Sequence, residues 1–502
     1  MTQQLPTNRL SALEVLAAAL GCVLALSLVR RWINDKSRRS AFPLPPGPST
    51  LWTSPGGRLP FTFAQLTEMY GPVFAFKKGA RVVCVVGRYQ AAVDIMQKHG
   101  ADLADRPRSI AAGELLSGGK RTLLVGAGDR LRKLRKALHS HLTPSVAIQY
   151  RPMQAKLAMN VVLDILRDPE HHVEHARRYA ASVVMTMTYG KTEPTLYTDP
   201  EVQEMVVHAT RLGSVIPLDY HIVDRFPILK NVPFVTSTLR QWHKEELGLF
   251  SSLVDGARVR AKEGAPPCFA TYLLENQQQL ELSEDEIAYL AGSMFGAGSD
   301  TSATAIAFMV MAAATHPKAQ AEVQAQLDSV VGRDRVPTFD DESLLPLVTA
   351  FYLEAYRWRP VSYGGFAHRA TSDIRWGEYV IPTGAMVIGN HWSIARDPDV
   401  FPDPEQFRPS RWLDESGKLK GDMTSFNFGF GRRVCVGQHV ANSSLFINTT
   451  LILWAFNISD DPAKPIDTMG FTDTANVRVK PFKAVFSPRV PRVQELVESC
   501  ID

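Results

Sequence analysis

Cysteine is scarce in this chain, and what there is cannot staple a fold. The five cysteines in 502 residues (Cys22, Cys84, Cys268, Cys435 and Cys500) are odd in number, widely scattered and contain no C-x-x-C pair. That argues against a disulfide framework or a zinc site and fits a reducing compartment. Net charge is slight as well. The 55 basic against 51 acidic residues leave +4, which points to neither a nucleic-acid partner nor a disordered acidic tail. No internal repeat or low-complexity segment stands out. Length alone would allow three or so domains, yet no boundary marks a second one after residue 50. What is present is an ordinary globular share of apolar side chains, 45%, ample for a large core.

Leu10 to Val29 (LSALEVLAAALGCVLALSLV) has Glu14 as its only charge and is long enough to cross a hydrocarbon core as a helix. Arg30, Arg31, Lys36, Arg38 and Arg39 follow it, whereas only Arg9 and the α-amino group precede it. The positive-inside rule then puts residues 1–9 on the lumenal side, 10–29 in the membrane and the rest in the cytoplasm. A cleaved signal peptide is the rival reading. The length of the run, the basic flank behind it and the lack of a small-x-small cleavage site weigh against it. Residues 30–50 read as a basic, proline-rich linker (FPLPPGPST at 42–50) that cannot be helical. Residues 51–502 read as one domain.

Two β-rich runs between Val73 and Val86, VFAF and VVCVV, predict a hairpin with Lys77 to Ala80 as its turn. A helix is expected from about Tyr89 to His99, closed by Gly100. Residues 102–128 are glycine-rich and irregular, and loops of that length are often functional. Asp129 then caps a strongly basic helix, DRLRKLRKALHSHL. Helical spacing recurs from Ser145 to about Val259, with breaks near Gly190 and around Asp219 to Pro233. Helices far outnumber strands, so the fold class is mainly α with a smaller β-rich lobe. Three N-x-[ST] sequons, at Asn442, Asn448 and Asn457, fall in an expected buried helix and should carry no glycan.

One short run organises the rest: Phe428-Gly429-Phe430-Gly431-Arg432-Arg433-Val434-Cys435-Val436-Gly437. Cys435 supplies a thiolate, the metal-binding form of cysteine. A helix expected from Gln438 to Phe456 points its unpaired amides and positive dipole end at that sulfur. Gly431 and Gly437 let the backbone pass close to a flat group, Arg433 suits a carboxylate on that group's rim, and Phe428 shields the sulfur from water. A buried free cysteine in a glycine-rich turn is the bland alternative for Cys435 alone, but five positions in register leave it little room. The run matches F-x-x-G-x-R-x-C-x-G at every fixed position and so resembles the haem-binding loop of the cytochrome P450 superfamily, in which the cysteine is the axial thiolate that favours O–O cleavage.

Three further segments resemble the same family. Ser283 to Glu286 is a capping box that opens a long apolar helix reaching Thr315. Its three central glycines, Gly292, Gly296 and Gly298, cost about 1 kcal/mol each relative to alanine. Close helix packing would explain the glycines, but not the adjacent Asp300 and Thr301. Ala297-Gly298-Ser299-Asp300-Thr301 resembles the family's A-G-x-[DE]-T. This implies a local loosening of the helix, room beside Ala297 for dioxygen, a Thr301 hydroxyl that holds water and an Asp300 that relays protons. Glu354-Ala355-Tyr356-Arg357 resembles E-x-x-R, and Phe407 to Trp412 resembles P-E-R-F, implying a structural triad of Glu354, Arg357 and Arg411 with Ser410 in place of the usual glutamate. The resemblance also implies Arg135 and His368 on haem propionates, although Leu131 stands where the family has a tryptophan. A satisfied core histidine is the plain alternative for His368.

The expected pocket lining, Ile110, Leu115, Met294, Ala297, Val361 and Phe471, is apolar. The charges Arg130, Arg132, Lys133 and Lys136 suit an acidic electron donor, although a solvated helix face is the usual meaning of such a run. Residues 215–235, rich in Ile, Leu, Phe and Pro, suit either a membrane surface or an ordinary loop under a helix pair. The linker is similar to that of microsomal members. The resemblance therefore implies a haem b monooxygenase of the fungal microsomal type, anchored once in the endoplasmic reticulum membrane. It would take electrons from NADPH–cytochrome P450 reductase, with cytochrome b5 as a second donor, and act on an apolar, terpenoid-like secondary metabolite. Two alternatives stay open: a haem-thiolate isomerase or dehydratase that needs no dioxygen, and a non-catalytic haem-binding protein.

Overall fold

The computed structural model describes residues 42–49, 58–79, 81–216, 221–421 and 426–501. The expected membrane segment at 10–29, its lumenal flank and the basic cluster after it lie outside the described residues. Among the described residues, no helix is long and apolar enough to cross a membrane.

The smaller lobe begins with α1 (Leu59–Tyr70) and the hairpin β1 (Val73–Lys78) and β2 (Arg81–Val86). Its strands run further than the sequence suggested. Lys77 pairs with Val82 and Lys78 with Arg81, so both lysines belong to the ladder, and Gly79 turns the chain at φ +61°. Strands β3 (His368–Arg369) and β6 (Met386–Gly389) return from late in the chain to complete a sheet ordered β1-β2-β6-β3, with β6 parallel to β2 and antiparallel to β3. A small hairpin, β4 (Ile374–Trp376) and β5 (Tyr379–Ile381), lies between them in sequence.

The helical body is built on α2 (Asp129–Leu142), α3 (Arg151–Arg167), α4 (His172–Tyr189), α5 (Pro200–Val215), α6 (Pro233–Lys262), α7 (Glu284–Thr315), α8 (Pro317–Val330), α9 (Pro346–Trp358) and α10 (Gln438–Ala455). Strands β7 (Phe456–Ser459) and β8 (Val485–Pro488) close the far end. Helix α7 is apolar nearly all round, as a helix enclosed by others must be, and α4, α6, α9 and α10 pack on it. It starts at a formed capping box: Ser283 Oγ accepts from the Glu286 amide at 3.2 Å, and Glu286 Oε2 accepts from the Ser283 amide at 3.0 Å. The break at Gly190 is a left-handed cap, φ +68°, that closes α4.

Four local expectations are corrected. The helix at Tyr89 lasts one α-turn, to Ala92, and continues as a π-helical turn over Val93–Gln97. The irregular 102–128 stretch contains a π-helical segment, Ile110–Leu116, because Ser109 Oγ accepts from the Ala112 amide and starts a turn. Gly128, not Asp129, holds the N-cap of α2. Helix α10 ends at Ala455, so Asn457 is an exposed residue of β7, whereas Asn448 is fully buried.

Candidate active site

One cavity of about 450 Å³ runs between the cysteine loop and the middle of α7, and both Cys435 and Thr301 line it. The Cys435 loop forms because a 3-10 turn at Gly431–Arg433 leads into α10, and the Cys435 amide donates to Phe428 O at 2.8 Å. Cys435 is surrounded by protein yet keeps accessible surface, because that surface faces the cavity. Burial pushes its thiol pKa up, while the Gly437 amide and the nearby Arg135 charge pull it back. Phe428 lines the same wall and meets the Tyr356 ring edge-on at 5.5 Å.

Around that wall stand three arginines and a histidine. Arg433 donates to the carbonyls of Ala104 (2.5 Å), Thr122 (3.3 Å) and Val125 (2.5 Å). Arg135 donates to Val434 O at 3.0 Å. Arg106, which no spacing in the sequence singled out, donates to Leu123 O and to Phe366 O, both at 3.1 Å, and to Ala367 O at 2.6 Å. Burial pushes the Arg106 pKa down to about 9 and that of Arg433 to about 10, and the repulsion of neighbouring arginines adds to both. The nearest carboxylate, Asp105, is engaged by the Ala127 amide at 2.7 Å and by Arg369. Three clustered, largely buried cations beside the cavity call for an anionic group there, and the Cys435 sulfur suits a metal. His368 Nδ1 is bonded to Leu103 O at 2.6 Å, and burial drives its pKa to about 3, so it is neutral.

Across the cavity, α7 runs unbroken past Thr301, which corrects the expected loosening: Thr301 Oγ1 donates to Ala297 O at 2.7 Å and closes on its own helix. Asp300 holds Arg478 Nε with both oxygens, at 2.8 and 3.0 Å. The glycines of α7 serve packing. A Cβ on Gly292 would lie 2.3 Å from the Phe250 ring, and one on Gly298 would lie 2.6 Å from Val184. Gly431 is likewise required by the protein itself, since its φ is +55° and a Cβ would meet Gly100 at 2.6 Å. Gly437 has nothing closer than 3.9 Å.

The pocket lining is partly corrected. Met294, Ala297 and Val361 line the cavity. Ile110 and Leu115 instead pack with Val215, Val223 and Leu239 in a separate cluster, and Phe471 is buried against Phe308 and Tyr363. Polar side chains of the C-terminal hairpin take the place assigned to Phe471.

Behind the cysteine loop, Glu354 accepts from Arg357 Nε and Nη2 (2.8 and 2.7 Å) and from Arg411 Nε (3.0 Å), and all three residues are buried. Trp412 Nε1 and the Arg408 amide complete the shell of Glu354, each at 2.9 Å. Ser410 is exposed and takes no part. On α2, Arg130 pairs with Glu286, Arg132 with Asp129, and Lys133 with Glu281.

A sulfur ligand, a cationic rim and a mainly helical fold that encloses both define a haem-thiolate protein. Similarity to known proteins agrees. The family model for cytochrome P450 matches residues 43–484, and the chain belongs to that family. Cytochrome P450 monooxygenase 113 of Postia placenta is 57% identical over 488 residues, 96% of this chain and 99% of that protein. Cytochrome P450 monooxygenase 64 of the same fungus is 55% identical over 490 residues, 97% and 99% of the two chains. A zebrafish cytochrome P450 solved with abiraterone superposes with a TM-score of 0.68 at 26% identity, covering 86% of this chain and 99% of that one. The protein is a cytochrome P450 monooxygenase with a haem-thiolate cofactor.

Proposed function

We propose that this enzyme oxidises an apolar small molecule of fungal secondary metabolism, of terpenoid-like character. The overall reaction is RH + O2 + 2 e− + 2 H+ → ROH + H2O, with electrons passed from NADPH–cytochrome P450 reductase and cytochrome b5 as an auxiliary donor. The observation that carries this reading is the single cavity onto which Cys435, the arginine cluster and the Asp300–Thr301 pair all open. When bound, haem supplies the iron at which dioxygen is reduced and its oxygen passed to carbon.

The chain's own residues do the rest. Cys435 would hold the haem iron through its sulfur, and the Gly437 amide and Arg135 favour its thiolate. Arg106, Arg135 and Arg433 would hold the haem carboxylates, with His368 as a neutral neighbour. Val183, Val184, Met187, Met205, Met294 and Val361 give the substrate an apolar wall and exclude water. Thr301 Oγ1 would exchange its bond to Ala297 O for one to a water, and Asp300, on releasing Arg478 Nε and taking up a proton from solvent, would pass that proton to the water. Residues 10–29 anchor the chain in the endoplasmic reticulum membrane. Ile228 and Phe234, 79% and 83% exposed, support contact of the 222–234 segment with the same membrane. Lys136 and the exposed face of α2 receive the reductase.

Microsomes containing the protein and a reductase, incubated with extracts of the source organism, should show product formation at plus one oxygen that requires both NADPH and dioxygen. Turnover that is independent of NADPH would instead favour a haem-thiolate isomerase.

A further inference from the structure

The C-terminal hairpin puts a polar face where an apolar one was expected. Phe471 bridges to Val479, the Thr472 amide donates to Arg478 O at 2.9 Å and the Lys480 amide donates to Gly470 O at 2.8 Å. On the returning arm, side chains alternate as an extended backbone dictates. Val477 and Val479 are buried at 1% and 4% exposure, while Thr474, Asn476 and Arg478 line the cavity.

The hydrogen-bond inventory of this face is lopsided. Asp300 takes Arg478 Nε with both oxygens, and Thr210 Oγ1 of α5 takes Nη1 at 2.8 Å. No partner among the described residues takes Nη2. Asn476 Oδ1 accepts the Ser362 hydroxyl, which leaves Nδ2 as a second unspent donor. Thr474 Oγ1 donates to Asn476 O. The acceptors here are used while N–H donors remain, in a cavity that is otherwise mostly apolar. A carboxylate on the ligand would have to lie beside Asp300, so a neutral acceptor fits best.

We infer that Arg478, assisted by Asn476, is a specificity-determining residue that binds a carbonyl oxygen (ketone, ester or lactone) on an otherwise apolar substrate. This rests on the monooxygenase reading above and narrows it: the substrate already carries oxygen, so a prior oxygen-installing or acylating step supplies it.

The test uses purified holoprotein and a matched pair of small probes, 4-phenylcyclohexanone and cyclohexylbenzene, with affinities measured by calorimetry. In Arg478→Met the ketone should bind about tenfold more weakly, the value of one charge-assisted hydrogen bond, while the hydrocarbon changes less than about twofold. Arg478→Lys should recover part of the loss. The double variant Arg478→Met/Asp300→Asn, which strands no carboxylate, should lose ketone affinity to the same extent. The idea is overturned if the ketone fails to bind the parent, if both probes weaken together, or if the double variant regains ketone affinity. The reduced, carbon-monoxide-bound absorption band, recorded for each variant, separates these outcomes from failure of the haem-thiolate reading.

Discussion

Gly431 sits against Gly100 so closely that a Cβ on the first would lie 2.6 Å from the Cα of the second and 2.8 Å from Met96 O. The Gly431 amide also donates to Gln97 Oε1 at 2.7 Å, so the cysteine loop is seated on the end of the helical segment that runs from Tyr89 to Gln97. Gly431→Ala adds left-handed strain of about 1–2 kcal/mol to that collision. Purified variant should show a lowered haem-to-protein ratio. Gly437→Ala meets no protein atom closer than 3.9 Å and should fold normally by circular dichroism. Haem loss in that variant would then report close approach of the cofactor alone.

Glu354 is the anchor for two buried arginines and a tryptophan. Arg411→Ala leaves Glu354 paired with Arg357 but strips its bond to Arg411 and the bonds Arg411 gives to Pro402 O and Gln406 O, at a cost of about 1.5–3 kcal/mol for the charged bond alone. Arg411→Ala should therefore lower the urea midpoint sharply and reduce haem content. Ser410→Ala, at an exposed neighbour, should leave both unchanged. Equal behaviour of the two variants would refute the assignment of Arg411 to the triad.

Gly292 lets α7 and α6 touch through the Phe250 ring. Gly292→Ala gains about 1 kcal/mol of helix propensity but overpacks the contact, which costs about 1–3 kcal/mol. The net expectation is a lower thermal midpoint, partly restored by adding Phe250→Leu. A rise in the midpoint would mean that α6 yields easily.

His172 is buried between Phe482 and Phe486, and burial lowers its pKa from 6.5 to about 4. The folded state therefore binds its proton more weakly than the unfolded state. Its contribution to stability is complete above about pH 6.5 and is lost as pH falls from there towards 4. At pH 5.5 the loss is about 1 kcal/mol. His172→Phe should show a smaller drop in thermal midpoint between pH 7.5 and 5.5 than the parent, read by differential scanning calorimetry.

Cys435→His replaces a thiolate by a neutral nitrogen ligand. The reduced, carbon-monoxide-bound absorption band should move and turnover should fall below detection. An unchanged band would remove the sulfur–iron bond from the account.

The family was legible in the sequence because its marks are local. The ten residues from Phe428, the A-G-x-[DE]-T run and the E-x-x-R pair each lie within a few positions of one another, where chain connectivity alone brings them together. The capping box at Ser283 and the stop at Gly190 were legible for the same reason, since caps are formed by neighbours in sequence. Arg106 was not, because only folding brings residues 106, 135 and 433 to one rim. The polar hairpin went unread. The alternation from Thr474 to Lys480 is a strand pattern, but nothing local says which face meets the cavity. By itself, then, the sequence determined the haem-thiolate chemistry and the helical body, both written in short-range spacing and apolar periodicity. Only the tertiary structure decided that Arg106 joins Arg135 and Arg433 beside the cavity, why α7 needs its glycines and what the cavity offers a substrate, because those depend on packing between segments up to hundreds of residues apart.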